Sequence, residues 1–449
     1  MSLASAVRSG RAEFAQLWRL AWPVVLGEIG WQTMSLVDTL VVGRVGATAL
    51  AGVSVGGAVF FLAAISGTGM LLGLDFAIAR AVGAERRDEV ASFLRHGLLL
   101  AVALAVVLTA VLLAAAPLLP RLGLAPDVAT VAADYLAVVA WSLPPLLLFN
   151  ALRRFLQAVG SVRVIALAMV SANVINAVVD WMLVFGLWGA PALGAVGAAW
   201  ATVVSRVFML AVIVVYVVAA HRSTLVAHLP WRWAALQQLV RLGLPAAIQV
   251  ALEVGVFATV TALAGRIGAV AAASHHVVLN IAAFSFMVPL GISAAAAVRV
   301  GHEVGRRDAV RTVTAGWTAM ALGALTMAGF SALFLLVPSF LVALFTTDAA
   351  VRETAASLMM VAAVFQLFDG VQVVASGALR GLGDTRTPML VNLIAHWFVG
   401  LPIGALLGLG LDFGVAGLWV GLCAGLMVAA VLLVWKWSVL SHAAPAGRA

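Results

Sequence analysis

Residues 16–46 read QLWRLAWPVVLGEIGWQTMSLVDTLVVGRVG, and residues 238–268 read QLVRLGLPAAIQVALEVGVFATVTALAGRIG. Laid over one another at an offset of 222, Leu17, Arg19, Leu20 and Pro23 meet Leu239, Arg241, Leu242 and Pro245, and Gly43-Arg44-Val45-Gly46 meets Gly265-Arg266-Ile267-Gly268. Further along, at an offset of 220, Arg86-Arg87-Asp88 meets Arg306-Arg307-Asp308 and Gly194-Ala-Val-Gly197 meets Gly414-Val-Ala-Gly417. The chain is an internal duplication. Each copy opens on an apolar run long enough to cross a bilayer, which takes about 20 residues of helix.

Composition carries that reading along the whole chain. Of 449 residues 64% are apolar, with 26 Lys and Arg against 18 Asp and Glu. Soluble domains carry about 25% charged residues; this chain carries 10%. Apolar runs between charge and Gly/Pro punctuation predict twelve spans, at 16–42, 50–79, 94–118, 130–156, 163–187 and 194–220, then 237–264, 273–299, 312–340, 352–379, 387–409 and 414–438. The expected organisation is therefore an N-terminal segment 1–15, a first lobe 16–220, a linker 221–236 containing His221, Arg222, His228 and Pro230, a second lobe 237–438 and a C-terminal segment 439–449. No length remains for a separate soluble domain.

Lys and Arg number 21 on the side that holds both termini, and four lie opposite: Arg44, Arg121, Arg266 and Arg352. Arg206 falls inside a span. The positive-inside rule then places the termini and the linker in the cytoplasm. The basic balance reads as topology rather than as an affinity for nucleic acid, since the arginines sit in short loops between apolar runs. One cysteine, Cys423, excludes a disulfide framework and a thiolate metal cluster. No secretory signal stands out, so the first span is expected to serve as its own targeting signal. Arg-rich usage with Lys436 as the single lysine points to a GC-rich bacterial genome and hence to the cytoplasmic (inner or plasma) membrane.

Six spans per repeat is an even number, so both copies enter from the same face and are expected to be related by an axis along the membrane normal. This is an all-α polytopic architecture of two homologous six-helix bundles. By analogy of architecture, it suits a transporter with a site between the halves.

Of the Asp and Glu inside the predicted spans, six are singled out as costly intramembrane carboxylates: Glu28, Asp38, Asp75, Asp180, Glu253 and Asp369. Each costs on the order of 2.5–3.5 kcal/mol at a helix centre, so most should have a task. Glu28, Gln32, Ser35 and Thr39 recur at helical spacing beside Asp38 and draw one polar stripe. Asn173, Asn176 and Asp180 mark the fifth span, and Asp38 and Asp180 could sit at similar depth, where they would bind one cation or share a proton. In the second half Gln249 and Glu253 are one turn apart, Gln366, Asp369 and Gln372 share a face, and His275, His276 and Asn280 lie on the eighth span. Glu253 and Asp369 both fall near mid-membrane by residue count. Protonation and cation binding would compete at such a group, which is what an antiporter requires. The competing reading for both clusters is helix packing through satisfied hydrogen bonds. Asp75 is expected to pair with Arg80. Arg206 either snorkels or pairs with a carboxylate of another helix, and His275, His276 and His396 serve packing, an interface or a proton relay. Span-end tryptophans such as Trp18, Trp22 and Trp188 read as interfacial anchors.

These residues resemble the multidrug and toxic compound extrusion family, in its NorM-like branch, over roughly 16–438. The resemblance rests on Pro23, Ser35-Leu-Val-Asp38-Thr39 and Gly43-Arg-Val-Gly46; on Leu152-Arg-Arg-Phe-Leu-Gln157-Ala-Val-Gly160; and on Asn176 and Asp180 before Phe185-Gly186. In the second half it rests on Arg299-Val-Gly301, on Gly377-Ala-Leu-Arg380-Gly381-Leu-Gly383-Asp-Thr-Arg386-Thr-Pro388, and on Trp397 with Leu401-Pro402. It implies a V-shaped pair of bundles about a central cavity, exporting cationic, often aromatic drugs in exchange for Na+ or H+, with no other cofactor. It implies coupling roles for Asp38, Asp180, Glu253 and Asp369, with Glu253 and Asp369 as the pair that would take Na+. Glu28, Gln32, Asn176, Gln249, His276, Asn280 and Gln366 are expected to contact substrate or to serve as supporting polar groups. Glu28 lies outside the family pattern, His276 stands where glutamine is expected and His396 where tyrosine is expected. The protein is expected to work as a monomer in the bilayer.

Two alternatives define what the structure must discriminate. A flippase for lipid-linked saccharides or another anionic lipid would line its cavity with Arg or Lys to meet phosphate, whereas here the six carboxylates singled out are set against Arg206 as the one basic residue read as intramembrane. An intramembrane enzyme would need a nucleophile with a base, or a metal cluster. No His-Glu-x-x-His pattern occurs, and His302-Glu303 is expected in a loop, so the chain does not read as an enzyme.

Overall fold

The computed structural model describes residues 3–225 and 230–443. Residues 226–229 of the expected linker, His228 among them, and the ends of both terminal segments lie outside the described residues. Among those described there is no strand, and twelve long helices run in the predicted order. They are α1 (Leu3–Gly43), α2 (Ala47–Gly83), α3 (Arg87–Arg121), α4 (Pro126–Ala158), α5 (Arg163–Phe185) and α6 (Ala195–Leu225), followed by α7 (Trp233–Ile267), α8 (Ala269–Arg306), α9 (Ala309–Leu336), α10 (Ala349–Gly381), α11 (Arg386–Gly410) and α12 (Gly414–Ser441). Eleven are long and apolar enough to cross a membrane by composition alone. The other, α1, carries Glu28, Gln32 and Asp38 within its apolar stretch. Those groups lower its hydropathy without interrupting its 41 residues.

Irregularities fall where the sequence forbids a regular turn. Pro144 and Pro145 lack the N–H that a continuing helix needs, and α4 tightens to a 3-10 turn at Ala140–Ser142 just before them. α11 does the opposite and widens into π-helical turns at Leu393–Gly400 and Leu406–Gly410. The duplication is visible in the backbone itself. Gly46 and Gly268, the matched ends of the repeated Gly-Arg-x-Gly, have φ of 147° and 151°, a region open essentially to glycine, and each precedes the next helix.

The contacts divide the chain into two compact units, Leu26–Ala247 and Met1–Val25 with Ile248–Ala449. The boundaries fall inside α1 and α7 rather than in the linker. Residues 16–25 of the expected first lobe pack with the second unit, and 237–247 of the expected second lobe pack with the first. In the second unit Leu17 and Ala21 join a core with Ile292, Ala296, Ala375 and Leu433. In the first, Gly73 on α2 comes so close to the Leu239 carbonyl that a Cβ would stand 2.7 Å from it. The fourth helix of each half is an inner one: the most apolar windows of α4 and α10 are 72% and 67% buried, against 22% for α2, α3 and α7. Outward faces carry exposed Val106, Leu325 and Phe398, as expected of helices whose solvent is hydrocarbon.

Candidate functional site

In the unit Leu26–Ala247, a small core of Val41, Val42, Ala49, Val184, Ala195 and Ala198 clamps the ends of α1 and α5 to the starts of α2 and α6. One turn back along α1 and α5 lie Asp38 and Asp180, and the clamp holds them level. Asp38, Asn176 and Asp180 face one another there. Thr202 Oγ1 of α6 lies 3.3 Å from Asp38 Oδ2 and 3.1 Å from its own Ala198 carbonyl. Asn176 and Asp180 are fully buried. Asp38 Oδ1, both Asp180 carboxylate oxygens and both polar atoms of the Asn176 side chain are buried without a hydrogen bond. Buried polar atoms are rarely left so, and five of them fall in this one cluster. Arg206, also on α6, donates from Nη1 to Ser142 Oγ at 2.6 Å and lies over the rings of Trp31 and Phe60.

Two of the six expected carboxylates are taken by arginines. Glu28 pairs with Arg153, and Asp75 with Arg154 Nη1 at 3.3 Å. Both arginines are buried in α4, not exposed at its end. Arg80, expected to partner Asp75, lies instead over the Phe76 ring at 5.7 Å. Glu28 is thus a helix-linking group, and Gln32 remains half-buried on the same helix. The excess of acids over basic residues inside the spans shrinks accordingly, to Asp38, Asp180, Glu253 and Asp369 against Arg206.

In the other unit, Val256 and Phe365 share one core, and the Phe257 and Phe365 rings meet edge to face at 6.2 Å. This contact joins α7 to α10 one turn from Glu253 and one turn from Asp369, and the two carboxylates come within Coulombic reach of one another. Asp369 is buried and Glu253 half-buried. The glutamines around them lock neighbouring helices: Gln366 Nε2 donates to Ser285 Oγ at 2.7 Å, Gln372 Nε2 to Asn392 Oδ1 at 3.0 Å and Gln249 Nε2 to Ser376 Oγ at 3.5 Å. His396, on the first π-helical stretch of α11, is buried with neither ring nitrogen hydrogen-bonded.

The two adjacent histidines of α8 separate. His275 accepts the Trp419 indole N–H at Nδ1, 3.1 Å away, which leaves the proton on Nε2 to face Thr261 Oγ1 at 2.9 Å. It is a satisfied core histidine. His276 is exposed, and Asn280 Nδ2 bonds back to its carbonyl at 2.8 Å, so the structure does not bring His276 into the Glu253–Asp369 cluster by any bond. His302-Glu303 lies within α8 rather than in a loop, where Glu303 is fully buried and binds Arg299 and Arg306.

Sequence reading missed Thr202, Ser142 and Tyr135, the last buried within the electrostatic reach of Asp38 and Asp180. Faint signals existed: Tyr135 is one of two tyrosines in the chain, and Thr202, Ser205 and Arg206 interrupt an otherwise apolar helix. Among the described residues no three His, Cys, Asp or Glu side chains are placed to hold a metal ion.

A family profile described as MatE matches residues 23–182 and 245–406, two segments that begin at the paired prolines Pro23 and Pro245. The chain belongs to the MatE family. It is 36% identical over 441 residues to a probable multidrug resistance protein NorM of Xanthomonas axonopodis pv. citri, covering 96% of each chain. It is also 38% identical over 444 residues to a probable multidrug resistance protein NorM of Rhodopseudomonas palustris, covering 97% of this chain and 94% of that one. The fold is similar to that of a multidrug resistance MATE family transporter of the MOP superfamily in an outward-facing conformation, with a TM-score of 0.90 at 22% identity over 96% of this chain and 97% of the other. It is similar as well to a MOP superfamily transporter from Pyrococcus furiosus, described as having a binding pocket of reverse polarity that suggests a different function, with a TM-score of 0.88 at 22% identity and coverage of 96% and 97%. The protein is a multi-pass membrane transporter of this family and not an enzyme.

Proposed function

We propose that the protein is a secondary active exporter of small cationic, aromatic compounds, which it exchanges for Na+ or H+ at intramembrane carboxylates. The observation that carries this is the juxtaposition of Glu253 and Asp369 from α7 and α10. Among the described residues neither takes part in an ion pair, whereas Glu28, Asp75 and Glu303 do. Two like charges close together in a medium of low dielectric repel strongly, and a shared proton or monovalent cation removes that cost. A cationic substrate and a coupling ion then exclude one another from the same pair, and mutual exclusion at a site open alternately to two sides links the two fluxes. Asp38 and Asp180 form a second acidic pair of the same kind, tempered by Arg206. Asn176, Gln249, Gln366 and Asn280 set the polar surroundings, and Glu28 and His276 fall outside the exchange.

The location proposed is the cytoplasmic membrane, with both termini in the cytoplasm, a reading supported by the 21-to-4 distribution of Lys and Arg, and the working unit is a monomer. Relatives named as probable multidrug resistance proteins support the substrate class. A second reading is transport of an anionic lipid or lipid-linked saccharide. It is disfavoured because Arg153 and Arg154 are already paired with carboxylates, which leaves Arg206 alone beside the four acids Asp38, Asp180, Glu253 and Asp369.

The test is ethidium efflux from proteoliposomes under an imposed Na+ gradient or an imposed pH gradient, for wild type, Glu253→Gln and Asp369→Asn. Movement is expected under one gradient and should fall at least tenfold in each variant. Retained movement in both would shift the exchange to Asp38 and Asp180. No movement of wild type under either gradient would refute the export reading and favour the lipid substrate.

A further inference from the structure

Arg206 is the one buried arginine in the unit Leu26–Ala247 that none of the carboxylate pairings described above accounts for. Its guanidinium carbon lies 5.1 Å from the centroid of the Trp31 ring and 4.7 Å from that of Phe60. Nη1 donates to Ser142 Oγ at 2.6 Å, and Tyr135 and Asp38 lie within electrostatic reach of the guanidinium. Among the described residues it makes no ion pair, and its Nε is buried without an acceptor. Four elements contribute one group each: α1 gives Trp31, α2 Phe60, α4 Ser142 and α6 the arginine. Arg153 and Arg154 differ in kind, since each is fixed by a carboxylate.

Two aromatic faces, one hydroxyl and a carboxylate nearby make up a receptor for a small organic cation, where ring quadrupoles replace the hydration shell and the carboxylate balances the charge. Here the cation belongs to the protein. The unbonded Nε indicates that the box holds the guanidinium by its faces rather than by filling its hydrogen-bond fork, as a free ligand of the same shape would also be held.

We propose that Arg206 is a tethered cation filling an aromatic cation site of Trp31, Phe60 and Ser142, and that the site, freed of this side chain, takes a small monovalent organic cation of the guanidinium or alkylammonium class. By pre-filling the box, Arg206 is a specificity-determining residue that leaves the binding of transported cations to Glu253 and Asp369. The second statement rests on the export reading; the first does not.

The full chain in detergent micelles is titrated calorimetrically with ethylguanidinium as wild type, as Arg206→Ala and as Arg206→Ala with Trp31→Leu. Arg206→Ala is expected to show a single site at least tenfold tighter than any binding by wild type, and Trp31→Leu is expected to weaken that site at least tenfold. A folded Arg206→Ala that binds no better than wild type overturns the proposal, as does binding that Trp31→Leu leaves unchanged. Should Arg206→Ala not fold alone, it is purified with and without ethylguanidinium. Recovery that depends on the ligand supports the site, and failure in both conditions overturns it. In proteoliposomes, ethylguanidinium is expected to alter ethidium efflux of Arg206→Ala and not of wild type, and an equal effect on both refutes the specificity role. Calorimetry needs no transport, so failure of the export reading would show in the vesicles alone.

Discussion

Replacing Glu28 by Gln decides between two roles for a carboxylate that the sequence leaves on the polar stripe of α1. In the structure it is bound to Arg153, and the side chains of the two are 15% and 7% exposed. Glu28→Gln leaves the Arg153 guanidinium buried with its charge unopposed. Breaking a buried pair by removing one partner costs about 3–5 kcal/mol, whereas replacing both with uncharged groups of similar volume is close to neutral. At about 1.4 kcal/mol per decade, that is a fall of roughly a hundred- to several-thousand-fold in the folding equilibrium. Glu28→Gln should therefore be strongly destabilised, Arg153→Met likewise, and the double variant should recover most of the loss, so that its cost falls far below the sum of the two singles in a double-mutant cycle. The measurement is unfolding of the full chain in mixed detergent micelles, followed by far-ultraviolet circular dichroism, with ethidium efflux of the same preparations in vesicles. Single-variant losses that simply add in the double would refute the pairing. A Glu28→Gln protein of unchanged stability that no longer exports would return Glu28 to the exchange site.

Two further outcomes follow from packing and bonding. A Cβ on Gly421 of α12 would stand 2.3 Å from backbone atoms of Gly404 and 2.5 Å from the Gly400 carbonyl of α11, so Gly421→Ala must push the helices apart at a cost of about 1–3 kcal/mol. Gly57→Ala meets nothing within 4 Å and should be neutral or slightly stabilising, and equal effects of the two in micellar unfolding would disprove the close approach. Trp419→Phe leaves the buried His275 Nδ1 without its donor and should cost about 1–3 kcal/mol. Ethidium efflux should be unchanged, and a loss of efflux without a loss of stability would assign His275 to proton movement.

The expectations that depend on composition along the chain are those the structure bears out most directly. Twelve helices in the predicted order and the repeat of Gly-Arg-x-Gly at matched backbone angles were all legible, because the requirement to satisfy every backbone group inside hydrocarbon leaves a long apolar segment little choice but a helix. The cost of burying a carboxylate singled out the six acids. It could not say which had a partner. Arg153 and Arg154 end an apolar run and read as loop charges, yet α4 is an inner helix and carries both into the interior beside Glu28 and Asp75. His275 and His276 are adjacent in sequence and separate in space, since one residue step turns a helix by about 100°, towards Trp419 for one and outwards for the other. Hydropathy is a property of each residue and its near neighbours, and so the sequence by itself determined how many helices there are and where the costly groups lie along them. Pairing depends on the rotation and depth of a second helix that is 125 residues away for Glu28 and Arg153 and 164 for Asp38 and Thr202, and only the packing of side chains in three dimensions decided it.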